Sequence, residues 1–369
     1  MKHRFFSPTE MVIQKGAVEA YGQKICSFGK KAMLVTTKNA ARITGALKDV
    51  ESVLKEGNIP YEIFSEVEQN PSYNTVSKAA DFAAKAGCDF FIGIGGGSAM
   101  DAAKAVSLLC ANPEISEEDA FLINLSHDPY PVICVGTTAG TGSEVTEYSV
   151  ITQTNGKKRT IGTEKLFPVL SLGDITYIKK MSANVLKSTA IDAMCHAFES
   201  YFNKKADCFS DTFAIEALKL IIPEFETISA YGTDGLDDLD FENLYLASIL
   251  SGYAIATTGT ALCHGLSYYL SENFSVPHGF ACGVFLPAFL MHNSKWAKDK
   301  SARLYDELCR TEDEIKALAS DLNEAPEITF TENDFKALRP RLENNKSLEK
   351  CLGECSPEYA EKILKALFM

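Results

Sequence analysis

Between residues 32 and about 180, short runs of apolar and β-branched residues alternate with longer segments of helical period. Four of these runs indicate buried strands, because each is short, apolar and followed by residues typical of turns. They are AMLVTT (32–37), YEIFSEV (61–67), FFIGIG (90–95) and PVICVGTT (131–138). Strands that alternate with helices predict a doubly wound, mostly parallel sheet, with its ligand beyond the carboxyl ends of the strands.

Local signals place helices and turns between these strands. Residues 43–56 carry four apolar side chains on one helical face, beginning with Ile43, and Gly57 is expected to end that helix. Ser72 is a candidate cap for the helix that follows the second strand. The segment YSVITQTNGKKRTIG alternates around an Asn-Gly turn, which predicts a hairpin.

Strand signals disappear after about residue 180. Ser182 precedes a long segment of helical period, residues 207–222 and 241–255 continue the pattern, and the tail past residue 300 is charged and amphipathic. The sequence therefore predicts an α/β domain over residues 1–180 and an all-α domain over residues 181–369.

Composition narrows the class of partner. The net charge is −13 and the pI is about 5.1, so nucleic acid and anionic membranes are poor partners and a small molecule is expected. No stretch approaches the roughly 18 apolar residues of a membrane span, and the N-terminus does not resemble a signal peptide, which predicts a cytoplasmic protein. The eleven cysteines form neither a disulfide framework nor a CxxC metal pattern.

Two short segments carry candidate metal ligands. Asp192 and His196 are four residues apart, so a helix would project both side chains from one face. His264 and His278 lie fourteen residues apart in ALCHGLSYYLSENFSVPHGFACG. One carboxylate and three imidazoles suit Fe²⁺ or Zn²⁺. The alternative is an ordinary helix-surface pair and an unrelated loop histidine.

A glycine turn follows the third predicted strand and opens a helix. Gly95, Gly96 and Gly97 let backbone N–H groups approach a phosphate, and the helix dipole adds to the attraction. Ser98 and Asp101 have the spacing of a capping box, which is compatible with phosphate binding. Tight βα turns also need glycine for steric reasons alone.

A second turn of small residues, TTAGTGSE, follows the fourth predicted strand. Its hydroxyl and amide groups suit phosphate or ribose, although a plain loop is the alternative. Two such turns at the ends of parallel strands predict one dinucleotide, with pyrophosphate on the glycine turn and the nicotinamide end toward the second turn.

Together, GGGSAMDAAK, TTAGTGSE, the Asp192–His196 pair and His264 with the PHG at Pro277 resemble the iron-containing, group III alcohol dehydrogenase family, in particular its propanediol and butanol dehydrogenase-like members. The resemblance covers nearly the whole chain. It implies a nicotinamide-binding domain, a helical metal-binding domain, a cleft between them and a homodimer. The implied metal ligands are Asp192, His196, His264 and His278. The implied cofactor contacts are Gly95, Gly96, Gly97 and Ser98 for pyrophosphate, Asp101, Thr137, Thr138 and Thr141 for the nicotinamide half, and Lys158.

Two positions bear on catalysis and cofactor choice. Many family members have a second histidine four residues after the third ligand, where this chain has Tyr268, which is either a proton donor or a pocket wall. NAD-preferring relatives often carry an aspartate at the end of the first strand, where this chain reads Thr37-Lys38-Asn39. A cation there favours a 2′-phosphate, so NADP(H) is expected over NAD(H).

The sequence thus predicts an iron-dependent alcohol dehydrogenase that interconverts small primary alcohols or diols with aldehydes, with Zn²⁺ as an alternative metal. A glycerol dehydrogenase-like enzyme and a dehydroquinate-synthase-like lyase share this architecture. The apolar surroundings of the ligand candidates argue against the lyase, which needs a basic pocket. A nucleotide-binding protein without activity is the remaining alternative.

Overall fold

The computed structural model describes residues 3–369, which form two compact units. One unit comprises residues 7–182, and the other comprises residues 3–6 together with residues 183–369.

The unit of residues 7–182 is an α/β structure. Its strands are β1 (Glu10–Ile13), β2 (Ala32–Thr37), β3 (Tyr61–Val67), β4 (Phe90–Gly95), β5 (Val132–Gly136), β6 (Tyr148–Thr152), β7 (Lys158–Gly162) and β8 (Leu170–Gly173). Six of them form a parallel sheet in the order β1-β8-β5-β4-β2-β3. The other two, β6 and β7, form an antiparallel ribbon.

Helices cover both faces of this sheet. They are α1 (Ala17–Ala20), α2 (Gly22–Cys26), α3 (Ala40–Thr44), α4 (Ala46–Glu56), α5 (Tyr73–Ala86), α6 (Gly97–Ala111), α7 (Glu117–Leu122) and α8 (Ile175–Ile178). Alternate residues of one strand enter two separate cores: Met33 packs with α5 and α6, while Leu34 packs with α1, α2 and α4. This alternation is the period-2 geometry of a strand that is buried on both faces.

Most of the predicted elements of this unit are confirmed. The first three strands have the predicted bounds, and the fourth is shorter, from Val132 to Gly136. The hairpin is the ribbon of β6 and β7, and the Ser72 side chain accepts a hydrogen bond from the Thr75 N–H at 3.2 Å as a helix cap. Strands β1 and β8 were not among the predicted elements.

The helix predicted over residues 43–56 is interrupted. Gly45 has a φ of 90°, which ends α3 at Thr44 and lets α4 begin at Ala46. Ile43 consequently lies outside the predicted apolar face and is 65% exposed. The predicted end is correct, since α4 ends at Glu56 and Gly57 follows as its cap.

The second unit is helical. Its helices are α9 (Ala183–Tyr201), α10 (Cys208–Tyr231), α11 (Asp238–Thr258), α12 (Leu262–Asn273), α13 (His278–Gly283), α14 (Leu286–Trp296), α15 (Lys298–Leu308), α16 (Glu312–Leu322), α17 (Glu332–Glu343) and α18 (Pro357–Phe368). Capping boxes begin four of them, at Asp207, Asp237, Thr311 and Thr331. The α9 helix begins directly after Ser182, and α10 and α11 are longer than predicted.

Within residues 3–369, no single helix has both the length and the apolar character needed to cross a membrane. By length and composition alone, the pair α11 and α12 meets the requirement, but it is bent by 107° at its break.

Candidate functional site

The order of the strands in the parallel sheet indicates where a ligand is expected, which is at the carboxyl ends of β2 and β4. Strand β2 lies between β3 and β4, and from β4 the order continues to β5 and β8. Ligands of such sheets bind where the order reverses, beyond the carboxyl ends of the strands. There β2 ends at Thr37 and β4 ends at Gly95, whose carbonyl accepts a hydrogen bond from the Thr137 N–H at 2.9 Å. Three of the predicted cofactor segments therefore begin at neighbouring strands.

The glycine turn and the threonine turn are in contact. A Cβ atom on Gly96 would lie 2.9 Å from Thr138 Oγ1, and one on Gly97 would lie 2.8 Å from Thr141 Cγ2. Only glycine permits this approach without movement of the threonines. Helix α6 starts at Gly97, so the N–H groups at its start belong to this same small-residue surface. A helix start beside such close-packed small residues is where a phosphate group could be held.

The capping box predicted for Ser98 and Asp101 is wrong. Helix α6 is preceded by Gly96 as its cap residue, which has no side chain to offer. The Asp101 carboxylate instead accepts hydrogen bonds from Ser143 Oγ at 2.6 Å and from the Val150 N–H at 2.9 Å. It therefore joins α6 to the end of the threonine turn and to the ribbon.

A buried lysine strengthens the same connection. The Lys104 side chain is fully buried, and its amine donates to the carbonyl oxygens of Ser143, Thr146 and Tyr148 and to Ser143 Oγ, at 2.7–2.9 Å. Three carbonyls satisfy the charge of the ammonium by hydrogen bonding, which makes its burial tolerable. The loop after the threonine turn is thereby held against α6.

The remaining predicted cofactor residues lie at the edges of this surface. Lys38 directly follows β2 and is exposed. Lys158 begins β7 opposite Thr152, whose hydroxyl donates to the Asn70 carbonyl at 3.2 Å. The Asn70 N–H lies 3.4 Å from Ser98 Oγ. This series of contacts links the ribbon of Lys158 to the first turn of α6.

In the helical unit, the three histidines predicted as metal ligands lie around the carboxylate of the fourth predicted ligand, Asp192. Asp192 Oδ1 lies 3.2 Å from His264 Nε2 and 3.8 Å from the Nε2 atoms of both His196 and His278. Asp192 and His196 project from one face of α9, while His264 and His278 lie in the first turns of α12 and α13. The rings of His196 and His264 are stacked, with centroids 4.5 Å apart. Three elements thus bring imidazole nitrogens to one point.

Burial and charge define the state of this carboxylate. Asp192 is 3% exposed, and burial alone would raise its pKa. The positive charge that His196, His278 and His264 can carry outweighs burial and holds the pKa of Asp192 well below its usual range. Asp192 is therefore ionised at neutral pH. An anion surrounded by imidazoles is a donor set that fits a divalent Fe or Zn ion.

Close packing of two helices places His278. A Cβ atom on Gly279 would lie 1.7 Å from the Ser188 carbonyl oxygen, and one on Gly283 would lie 2.6 Å from Ile191 Cγ2. These two glycines, one turn apart, let α13 lie directly on α9. The ring of His278 reaches Asp192 because its own helix can come this close.

Comparison with known proteins gives two family matches. The iron-containing alcohol dehydrogenase profile matches residues 8–175, and the profile of the C-terminal region of the Fe-containing alcohol dehydrogenase family matches residues 187–338. The NAD-dependent methanol dehydrogenase of Bacillus methanolicus is 32% identical over 285 residues, which cover 77% of this chain and 74% of that protein. The chain belongs to the iron-containing alcohol dehydrogenase family.

Other relatives agree with this assignment. The NADPH-dependent butanol dehydrogenase of Clostridium saccharobutylicum is 28% identical over 364 residues, which cover 95% of this chain and 92% of that protein. The crystal structure of an iron-containing alcohol dehydrogenase from Thermotoga maritima has a TM-score of 0.90 and 34% identity, covering 99% of each chain. The family implies iron and a nicotinamide cofactor, and the names of its members include both NAD- and NADPH-dependent enzymes.

A thiol that was not among the predicted site residues lies beside the ligand cluster. Donor atoms of Asp192, His264, His278 and Cys282 all lie within 4.8 Å of one another. Cys282 lies four residues after His278 in α13, and its Sγ is 3.9 Å from each ring nitrogen of that histidine. The i, i+4 spacing was visible in the sequence, but a cysteine among eleven gave no reason to select it.

Tyr268 lies next to the cluster. Its ring stacks on that of His278, with centroids 5.9 Å apart and an interplanar angle of 17°. Burial raises the pKa of Tyr268 to about 12, although the charge of His264 opposes the shift. The phenol therefore keeps its proton at neutral pH.

A second carboxylate, Glu199, was also missed. It is fully buried on α9, seven residues after Asp192. One oxygen accepts hydrogen bonds from the N–H groups of Ala261 and His264, both at 3.1 Å, and the other contacts His264 Nδ1. Its position two helical turns from Asp192 and one from His196 was the available signal, because those spacings place all three on one face.

Proposed function

We propose that this chain is a metal-dependent, NADP(H)-linked oxidoreductase that interconverts small primary alcohols or diols with aldehydes. The observation that carries the proposal is the convergence of three imidazoles on the buried Asp192 carboxylate. The family assignment supplies the reaction class.

In this proposal, Asp192, His196, His264 and His278 hold one Fe²⁺ ion, with Zn²⁺ as the alternative. Such an ion supplies Lewis acidity, which lowers the pKa of an alcohol and stabilises charge on a carbonyl oxygen. The chain contributes a preformed set of donors whose rings are fixed by packing. We prefer His196 to Cys282 as the fourth ligand, because His196 projects from the same face of α9 as Asp192 and its Nε2 lies 3.8 Å from Asp192 Oδ1.

Tyr268 is proposed as a proton donor in aldehyde reduction. Its ring stacks nearly parallel to that of His278, beside the proposed metal ligands, and its hydroxyl keeps its proton at neutral pH. Replacement of Tyr268 by Phe removes the hydroxyl and keeps the ring. We expect kcat for aldehyde reduction to fall by about 100-fold, within the usual range for general acid catalysis. A pocket wall alone would leave kcat unchanged.

The dinucleotide is proposed to lie on the contact between the glycine and threonine turns. Gly95, Gly96, Gly97 and Ser98 would bind its pyrophosphate. Asp101, Thr137, Thr138, Thr141 and Lys158 are assigned to the nicotinamide half. Nicotinamide supplies or accepts the hydride. Support comes from the close approach of Gly96 to Thr138 and from the start of α6 at Gly97, which leaves backbone donors available there.

The preference for NADP(H) is proposed from Thr37 and Lys38. An exposed ammonium directly after β2, with no carboxylate at that position, favours a 2′-phosphate. We expect Lys38→Glu to lower kcat/KM for NADPH by about tenfold, the effect of ~1.4 kcal/mol, with little change for NADH. Lys85→Glu is a matched control, since Lys85 is also exposed but lies at the end of α5 that leads into β4. Equal kcat/KM for NADPH and NADH in the unmodified protein would contradict the preference.

The reaction itself is tested by anaerobic oxidation of NADPH against a series of short aldehydes and hydroxyaldehydes. We expect turnover, and the rates across the series identify the preferred chain length of the aldehyde. Reduction of hydroxyaldehydes would show that the enzyme also forms diols. Absence of turnover with every aldehyde, while NADPH still binds, would contradict the proposal.

A homodimer is proposed from the frequency of two-fold assemblies and from the family resemblance, and light scattering tests it.

A further inference from the structure

Glu199 performs two tasks that sequence patterns usually assign to two different residues. Helix α12 begins after Ala261, which has no side chain able to cap it. In a capping box, side chains of the helix itself satisfy the N–H groups of the cap residue and of the third helical residue. Here those two N–H groups belong to Ala261 and His264, and both donate to Glu199 Oε1 at 3.1 Å. A carboxylate from α9 therefore caps α12.

The other oxygen of Glu199 reaches the imidazole of His264. Glu199 Oε2 is in contact with Nδ1 of that ring, and the Nε2 atom on the opposite side of the ring lies 3.2 Å from Asp192 Oδ1. Both carboxylates are buried, as is the ring between them. Glu199 Oε1 accepts from two backbone N–H groups, and its Oε2 is placed to accept from the ring in the same way, so the geometry puts a proton on Nδ1 toward Glu199.

We propose that Glu199 is a positioning residue that fixes the ring orientation and the tautomer of His264, so that Nε2 offers its lone pair to the metal. The proposal rests on the proposed metal site. With Nδ1 protonated, a neutral imidazole has its lone pair on Nε2, the nitrogen that faces Asp192. Because one carboxylate also caps α12, the ring orientation is fixed together with the start of the helix that carries it.

Glu199→Gln separates the two tasks. The amide oxygen of glutamine can still accept from the N–H groups of Ala261 and His264, so the cap is preserved. The amide nitrogen then faces Nδ1 and donates to it, which moves the proton of a neutral ring to Nε2 and removes the lone pair from the metal side. We expect the metal affinity to fall by about 10- to 100-fold, as for other residues that support a metal-binding histidine.

The experiment measures metal affinity by chelator competition with Zn²⁺ and Co²⁺, together with the visible spectrum of the Co²⁺-loaded protein. Glu224→Gln is the matched control, since Glu224 is a buried carboxylate of the same unit that contacts Asn243 on α11. Glu199→Asp keeps a carboxylate with a shorter reach, and we expect it to bind metal more tightly than Glu199→Gln. Circular dichroism reports whether each variant retains its helices.

The results distinguish this inference from the proposed function. If Glu199→Gln binds metal with wild-type affinity and has an unchanged Co²⁺ spectrum, Glu199 acts only as a helix cap and the inference is overturned. The proposed metal site would not be contradicted by that result. Failure of the wild-type protein to bind either metal would overturn both.

If Glu199→Gln does not fold, ¹⁵N spectra of the histidine rings of the Zn²⁺-loaded wild-type protein give the tautomer directly, with His264 assigned by comparison with His264→Ala. The proton is expected on Nδ1 of His264. A proton on Nε2 would overturn the inference.

Discussion

At the scale of single residues, Asp192 determines what its three histidines can do. A buried carboxylate that is ionised at neutral pH needs positive charge around it, and protons on the imidazoles or a divalent cation can both provide it. The three Nε2 atoms at 3.2–3.8 Å are arranged around one oxygen of the carboxylate. The choice between His196 and Cys282 as the fourth donor is the feature of this site that mutation can decide.

His196→Ala is expected to lower metal affinity more than Cys282→Ala. Loss of a residue that only supports a ligand already costs about 10- to 100-fold in affinity, so loss of the ligand itself is expected to cost at least that. Cys282→Ala removes a protonated thiol and should leave the affinity within about threefold, since no proposed metal bond is lost. Equilibrium dialysis of both variants against Fe²⁺ and Zn²⁺ under anaerobic conditions provides the measurement. The opposite ranking would replace His196 by Cys282 in the ligand set.

A pH effect on stability is expected from Glu224 on α10. Burial, together with the neighbouring carboxylates of Asp240 and Asp237, raises the pKa of Glu224 to about 7 from its ordinary 4.5, despite the hydrogen bond that Asn243 donates to it. Because the folded-state pKa is the higher one, the folded form keeps a proton that the unfolded chain loses. The stabilisation that Glu224 contributes to the folded state is therefore fully present below pH 4.5 and is lost as the pH rises through about 7.

Glu224→Gln cannot ionise and keeps the acceptor for Asn243. In urea unfolding, the free energy of unfolding of Glu224→Gln is expected to exceed that of the wild type by on the order of 1 kcal/mol at about pH 8. Below about pH 4 the two proteins are expected to be equally stable. Glu216→Gln, an exposed position on the same helix, serves as the control. A gain that does not depend on pH would show that the charge of Glu224 is not its source.

At the scale of elements, the metal site depends on how closely α13 approaches α9. Gly279 is in contact with the backbone of Ser188, which cannot rotate away, whereas Gly283 faces the side chains of Ile191 and Asn323, which can shift. Two glycines on one helix therefore differ in what surrounds them. The difference allows the helix contact to be tested without altering a ligand.

Gly279→Ala is expected to push α13 away from α9 and to separate His278 from Asp192. Overpacking of this kind costs about 1–3 kcal/mol, and metal affinity should fall along with the melting temperature. Gly283→Ala should have the smaller effect on both quantities. Metal titration and thermal unfolding of the two variants provide the measurements. Equal metal affinity in both would show that metal binding does not depend on the contact between α13 and α9.

The sequence predicts elements well where one local pattern suffices. The strand bounds of β2, β3 and β4 follow from short apolar runs ended by glycine or polar residues. The short edge strand β1 lacks such a run, because its residues are only partly buried. The break in the helix at Gly45 depends on a left-handed backbone conformation, which a single glycine within a helical pattern does not reveal.

Site residues follow the same division. The proposed ligands Asp192 and His196 are suggested by helical spacing, and His264 and His278 by their motifs, because each pattern is local in the chain. Glu199 acts on a helix that starts about sixty residues later, and Asp101 contacts Ser143 and Val150 instead of capping its own helix. Such contacts depend on tertiary packing, so neighbouring residues do not encode them.

At the scale of the whole molecule, each unit supplies one part of the chemistry. The two family profiles match residues 8–175 and residues 187–338, which correspond to the α/β unit and to the ligand-bearing helices. We propose that the dinucleotide binds to the first unit and the metal to the second, and that oxidoreduction requires one metal ion held by Asp192, His196, His264 and His278.

The most direct test is reconstitution of the metal-stripped protein under anaerobic conditions. Increasing equivalents of Fe²⁺, and in parallel Zn²⁺, are added while NADPH oxidation by an aldehyde is followed at 340 nm, with His264→Ala treated identically. We expect no turnover without metal, turnover that rises to a plateau at one equivalent per chain, and none in His264→Ala at that equivalent. Full turnover by the metal-stripped protein, or by His264→Ala without bound metal, would contradict this proposal.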